Sequence, residues 1–292
     1  MASVEVYRSD HQTDCDERAL VLAAVGVPSE LVRMDDEFVL LVAEESFVAA
    51  TTHLKAYGDE TVAREPEPSG MRVYPGAWLG AAGYAVILVS VSRFAADDLL
   101  GADWFSSGEL VPGLWKSGEL WRVITALTLH ADAAHLVTNI GFGALFGYLT
   151  GQLLGPGIAW VSILGAGAVG NLLDALLMPS THRAIGASTA VFATLGLLAA
   201  FSWRQRSTLA AGWPRRWAPL IAAAALLGLL ATGGEHTDVL AHLTGILAGM
   251  ALGLVYGSFS FLQRGGTRAQ LLCGAAALAA IVGAWVCALT HP

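Results

Sequence analysis

Three short polar clusters interrupt apolar stretches of this chain, and their residue types are those of acyl-transfer chemistry. Gly186-Ala187-Ser188-Thr189 opens one apolar run with a serine. A helix start leaves four backbone N–H groups unpaired, so Ser188 has donors around it where an oxyanion would be welcome. Gly186 lets the chain turn tightly into that helix. The plain alternative is an N-cap serine without chemistry. A second run, from Asp238 to Gly249, carries the single imidazole of His242 among small residues. An ionisable group there is costly unless it has a partner. Gly245 and Gly249 form a GxxxG surface that admits a neighbouring helix at close range. If that neighbour is the Ala-rich helix opened by Ser188, His242 comes within hydrogen-bond reach of the serine, as an activated nucleophile requires. Phe192, four residues after Ser188 and on the same face, is placed to stack on the imidazole.

The third cluster runs from His130 through His135 to Asn139. His135 and Asn139 share a helix face and can both donate toward one point. Zinc is the competing reading, but His130 and His135 are five apart and no Glu completes an HExxH pattern, so no metal is expected there. Two polar groups satisfying each other at a helix end is the structural alternative. Asp174 is the one acidic residue deep in an apolar run and reads as an interfacial polar residue with a structural role.

The elements that must position these groups are membrane spans. The chain has 292 residues, 55% hydrophobic and only 14% charged, against roughly 25% charged in soluble domains. A bilayer core needs about 20 apolar residues per helix, and seven runs qualify as candidates: 77–94, 134–154, 158–177, 188–203, 217–232, 239–259 and 270–289. The loops at 203–216 and 260–269 hold Arg204, Arg206, Arg215, Arg216, Arg264 and Arg268 without an acid, whereas Asp97, Asp98, Asp103, Glu109, Glu119, Glu235 and Asp238 fall on the opposite side. The positive-inside rule then puts the N-terminus in the cytoplasm and all three polar clusters near the outer face.

Residues 1–60 read as a small α+β domain of order β-α-β-β-α, half or more of a ferredoxin-like sandwich. Asp14 or Asp16 is the expected cap of its first helix, and 43–57 its second. Residues 61–76, with Pro66, Pro68 and Pro75, read as a linker, leaving 77–292 as the membrane domain. The first 18 residues are polar and lack the apolar core of a signal peptide. The net charge of −8 gives no footprint for nucleic acid. Cys15, Cys273 and Cys287 stand singly, which supports neither a zinc site nor a disulfide framework.

In order and spacing the clusters resemble the rhomboid intramembrane proteases. The resemblance starts at Trp121-Arg122, continues through His130, His135 and Asn139, then Gly186-Ala187-Ser188, then Ala241-His242 with Gly245. It covers about residues 120–256, with a seventh helix found in a subset of the family. The resemblance implies an all-α bundle of seven transmembrane helices. It also implies a Ser188–His242 dyad, an oxyanion hole of His135, Asn139 and the Ser188 N–H, and Phe192 stacked on the base. His130, Gly186, Gly245 and Gly249 become supporting residues, and no cofactor is implied. The connection at about 95–120 would lie partly in the outer leaflet. One departure stands out: the family reads Gly-x-Ser-Gly, and Thr189 occupies the second Gly position. Its β-branched side chain stiffens the backbone beside the nucleophile and adds bulk.

The reading that follows is a serine endopeptidase of the inner cell membrane, cutting transmembrane protein substrates from the outer side. Thr189 motivates a silent relative that holds membrane clients instead. A transporter is the third class, motivated by the intramembrane His and Asp residues, but the two related halves common in transporters are not visible. Substrate identity and oligomeric state are not legible in the sequence.

Overall fold

The computed structural model describes residues 2–34, 36–64, 74–208, 213–230, 238–259 and 265–291. The chain divides into two compact units, Met1–Gly70 and Met71–Pro292. In the first, β1 (Ser3–Ser9), α1 (Gln12–Ala24), β2 (Ser29–Met34), β3 (Glu37–Ala43) and α2 (Phe47–Arg64) follow one another. The sheet order is β1-β3-β2, antiparallel throughout. This is a split β-α-β unit, with β3 filling the gap between the two strands that α1 connects. Leu22, Val27, Leu40, Val42 and Ala50 close its core. The structure corrects the expected cap of α1. The helix starts earlier, after an extended His11, so Asp14 lies inside the first turn and accepts the Ser9 hydroxyl at 2.8 Å. The second helix also differs from 43–57: Glu44–Ser46 form a 3₁₀ turn and α2 then continues to Arg64. Pro66 and Pro68 of the expected linker lie outside the described residues.

The second unit is helical. Seven long helices occur among its described residues: α3 (Ala77–Ala96), α7 (Ala133–Leu154), α8 (Pro156–Leu177), α9 (Ser188–Thr208), α10 (Trp213–Leu230), α11 (Val239–Ser258) and α12 (Thr267–Thr290). Of these, α3, α8, α11 and α12 are long and apolar enough to cross a membrane. The others carry more polarity, as in α9, whose last turns hold Arg204, Gln205 and Arg206. Val86, Leu176, Leu271, Leu272 and Val282 are exposed on the bundle's exterior, as expected where the solvent is hydrocarbon and the interior is built by close packing. The chain is a multi-pass membrane protein.

Small residues set the helix spacing. Tyr84 of α3 and Trp160 of α8 stack with ring centroids 4.9 Å apart. Their rings fill the space left by Gly143 and Gly147 of α7, where a Cβ would come within 2.5 Å of each. At the α7–α8 turn, Gln270 of α12 accepts from the N–H groups of Gly157 and Ile158 and donates to the Leu154 carbonyl. One side chain thereby satisfies orphan groups at a helix start and a helix end.

The connection between α3 and α7 contains α4 (Trp104–Gly108), α5 (Leu114–Ser117) and α6 (Arg122–Thr125). Arg122 holds it together. It donates to the carbonyls of Ser106 (2.8 Å) and Glu109 (2.9 Å) and pairs with Glu119 at 2.6 Å. Thr125 adds a buried bond to the Gly108 carbonyl. Trp104 packs on Trp285 of α12 with centroids 4.5 Å apart, and the Trp285 N–H donates to Thr128 at 3.0 Å. The last helix is thus fastened to the connection that leads into the polar clusters.

Candidate active site

The dyad candidates sit on α9 and α11, which approach backbone to backbone. A Cβ at Gly245 would collide with the Thr189 carbonyl, one at Gly249 with the Ala193 carbonyl, and one at Gly253 with the Leu197 carbonyl. Gly196 of α9 makes the reciprocal approach to Ile246. The GxxxG surface read from the sequence therefore faces the helix that Ser188 opens. Ser188 is half-buried at the first position of α9, and His242 is buried. The Phe192 ring lies against the His242 ring, with centroids 4.3 Å apart and planes at 32°. The His242 Nδ1 is buried and makes no hydrogen bond. Asp238, one turn earlier, caps α11 by accepting the Ala241 N–H at 2.9 Å.

A positive φ of 125° at Gly186 turns the chain into α9. The His135 ring fills the position a side chain would need there: a Cβ would lie 2.7 Å from its Cε1 and Nε2 and 3.7 Å from the Ser188 Oγ. Gly186 thus keeps the serine hydroxyl and the His135 ring on one side of a bare stretch of backbone. His135 packs edge-on against His130 at 5.0 Å between centroids. His130 in turn accepts the Ala187 N–H through Nε2 at 3.4 Å. Burial, aided by the nearby His135, pushes His130 down to about 4, so it stays neutral and can accept. Asp132 caps α7 by accepting the His135 N–H at 2.8 Å, which holds its own carboxyl below the usual range.

Asn139 is buried one turn below His135. Its side-chain amide donates to the His135 carbonyl at 3.1 Å, and its main-chain carbonyl accepts the Tyr84 hydroxyl. The amide is therefore held along its own helix, on the face that carries His135. Ser188, Thr189, Gly186, Asp238 and Ala241 line a cavity of about 10 Å³, room for roughly one water molecule.

Thr189 has an explicit place. A Cβ at Gly170 of α8 would lie 2.7 Å from the Thr189 Cγ2, and Gly245 offers a second bare surface beside it. The extra bulk is taken up by two glycines on neighbouring helices. Asp174 differs from its expected interfacial setting: it is fully buried and meets His182 at 3.2 Å. His182 was not singled out in the sequence, because it lies in a polar connection with no periodic signal. Arg122 was legible only as part of a motif, not as the residue holding the connection.

Residues 117–259 match the Rhomboid domain model. Rhomboid-like protease 3 of Toxoplasma gondii is 35% identical over 47% of this chain and 52% of its own length. Rhomboid-like protease 2 of the same organism is 28% identical over 50% of this chain and 51% of its own length. Rhomboid-like protein 11, chloroplastic, of Arabidopsis thaliana is 32% identical over 57% of this chain and 62% of its own length. The chain spans about half the length of the two Toxoplasma proteins. The matched segment contains all three polar clusters and the α9–α11 contact. These matches support a rhomboid family member, the likeness being carried by the Rhomboid domain at residues 117–259.

Proposed function

We propose that this protein is an intramembrane serine protease that uses a Ser188–His242 dyad. The observation that carries the reading is the combination at the top of α9 and α11. A half-buried serine opens one helix, a buried histidine is held under Phe192 at 4.3 Å on the other, and glycines remove the side chains that would separate them. In the reaction, Ser188 Oγ attacks a substrate carbonyl while His242 takes the hydroxyl proton, giving a tetrahedral oxyanion. His135 and the free N–H groups at the start of α9 would face that charge, with Asn139 behind His135. His242 returns the proton to the leaving amine. Water then hydrolyses the acyl-enzyme with the same base. No metal or organic cofactor enters these steps.

The substrates in this reading are single-span membrane proteins cut in or near their transmembrane segments. Arginines at one end of the helices favour a topology of seven spans, with the N-terminal unit in the cytoplasm and the site opening to the outer face of the inner membrane. The N-terminal unit is read as a ferredoxin-like appendage without chemistry of its own.

The test is cleavage of a model single-span protein in proteoliposomes. Wild type should cleave it, while Ser188→Ala and His242→Ala should each lower the rate by at least about 10³-fold. Cleavage equal in wild type and Ser188→Ala would overturn the assignment. A second reading, a silent relative that binds clients, is favoured by Thr189. Under it, wild type would leave the substrate intact and Thr189→Gly would gain activity.

A further inference from the structure

A second polar cluster stands beside the first and takes no part in the proposed proteolysis. Asp174 lies in the last turns of α8, His182 in the connection from α8 to α9, and Asp238 at the start of α11. We propose that these three side chains bind one divalent transition-metal cation of the Zn²⁺ or Mn²⁺ class.

Four observations carry this. The His182 Nε2 lies 3.2 Å from Asp174 Oδ2 and 2.8 Å from Asp238 Oδ2, and one donor atom from each residue falls within 4.8 Å of the other two. Tetrahedral ligands about 2.0–2.2 Å from a shared zinc ion are themselves roughly 3.3–3.6 Å apart, so the His182–Asp174 pair is close to the required spacing and the His182–Asp238 pair must open by a fraction of an ångström. Second, none of these atoms is spent on a partner outside the cluster: both Asp174 oxygens, the His182 Nε2 and the Asp238 Oδ2 are buried with no hydrogen bond to any other residue. Their lone pairs converge at ion-pair distances, a donor set that a cation would complete. Third, the Asp174 side chain is 0% exposed, and a buried carboxylate needs a compensating charge. Among the described residues no lysine or arginine pairs with it or with Asp238. The nearby Arg183 is committed to Glu109 at 3.1 Å. Two carboxylates match a dication in charge, and an imidazole nitrogen completes the donor set. Fourth, His182 and Asp238 remain 18% and 15% exposed, which leaves an entry path from the connection side.

Imidazole with carboxylates is a nitrogen–oxygen donor set suited to Zn²⁺ and Mn²⁺. It differs from the His130/His135 pair, which offers two imidazoles and no carboxylate in HExxH spacing. Binding would fasten the end of α8, the connection leading into Ser188 and the first turn of α11, four residues before His242.

The test uses the full chain in detergent, without a histidine tag and stripped with EDTA, titrated calorimetrically with ZnCl₂ and with MnCl₂. One equivalent of at least one of the two should bind and raise the thermal midpoint. His182→Gln, at a partly exposed position, and the near-isosteric Asp174→Asn should each weaken binding by at least about 10–100-fold. Ser188→Ala should bind as wild type does, so failure of the proteolytic reading and failure of this one are separable. Absence of stoichiometric binding to folded wild type would overturn the proposal. Binding that survives in both His182→Gln and Asp174→Asn but is lost in His135→Ala would overturn it equally, placing the ion at the other cluster.

Discussion

The two sides of the candidate active site are built by opposite means. On the dyad side, α9 and α11 touch through bare backbone, and what positions His242 is the absence of side chains at Gly245, Gly249 and Gly196. On the oxyanion side, position comes from a chain of polar contacts: Arg122 on the Ser106 and Glu109 carbonyls, His130 on the Ala187 N–H, and Asp132 on the His135 N–H. The first side tolerates no added volume, and the second tolerates no lost hydrogen bond. The failure of each under mutation therefore differs in kind, and four substitutions separate them.

The largest effect belongs to the glycine seam. Gly249→Val drives a side chain into the Ala193 carbonyl, so the helices must part. It should cost about 3 kcal/mol of stability and abolish proteolysis, read by thermal unfolding and substrate cleavage in parallel. On the polar side, Arg122→Ala leaves two carbonyls and Glu119 without their donor, for a loss of about 2–3 kcal/mol. Limited proteolysis should then find the α3–α7 connection cut first, with α9 and α11 still protected.

The pH dependence sharpens the same side. His130 titrates near 4 in the folded protein and near 6.5 when unfolded. Protons therefore favour the unfolded chain, and stability is retained above pH 6.5 and lost as pH falls from there toward 4. About 3 kcal/mol is at stake across that window, and His130→Gln should flatten a plot of thermal midpoint against pH. The smallest effect is that of Thr189→Gly. Removing a side chain lodged between Gly170 and Gly245 opens a small void and loosens α9, costing about 1–2 kcal/mol. In an active protease it brings no gain in cleavage, whereas a gain from none would favour the silent alternative.

The same contrast explains what the sequence could reveal. Gly245 and Gly249 are four apart, and Ser188 and Phe192 are four apart, so helical periodicity alone puts each pair on one face. The α9–α11 contact and the Phe192–His242 stack were legible for that reason. The polar side was legible only locally. His135 and Asn139 share a helix, but that His130 takes the Ala187 N–H depends on bringing positions 57 apart together, which no short-range pattern encodes. Asp174, His182 and Asp238 come from three different elements, so Asp174 read as a lone interfacial residue. Residue type alone does not place the start of α1, because two acids close to it are equally good caps, and backbone geometry puts the cap at His11.

The most direct test of the central claim is labelling of the folded protein with a serine-directed fluorophosphonate, followed by mass mapping of the modified residue. Modification confined to Ser188, lost in Ser188→Ala and strongly slowed in His242→Ala, is the predicted result. Labelling of wild type and Ser188→Ala to the same extent, or an unmodified Ser188 in protein that cleaves substrate, would contradict the account.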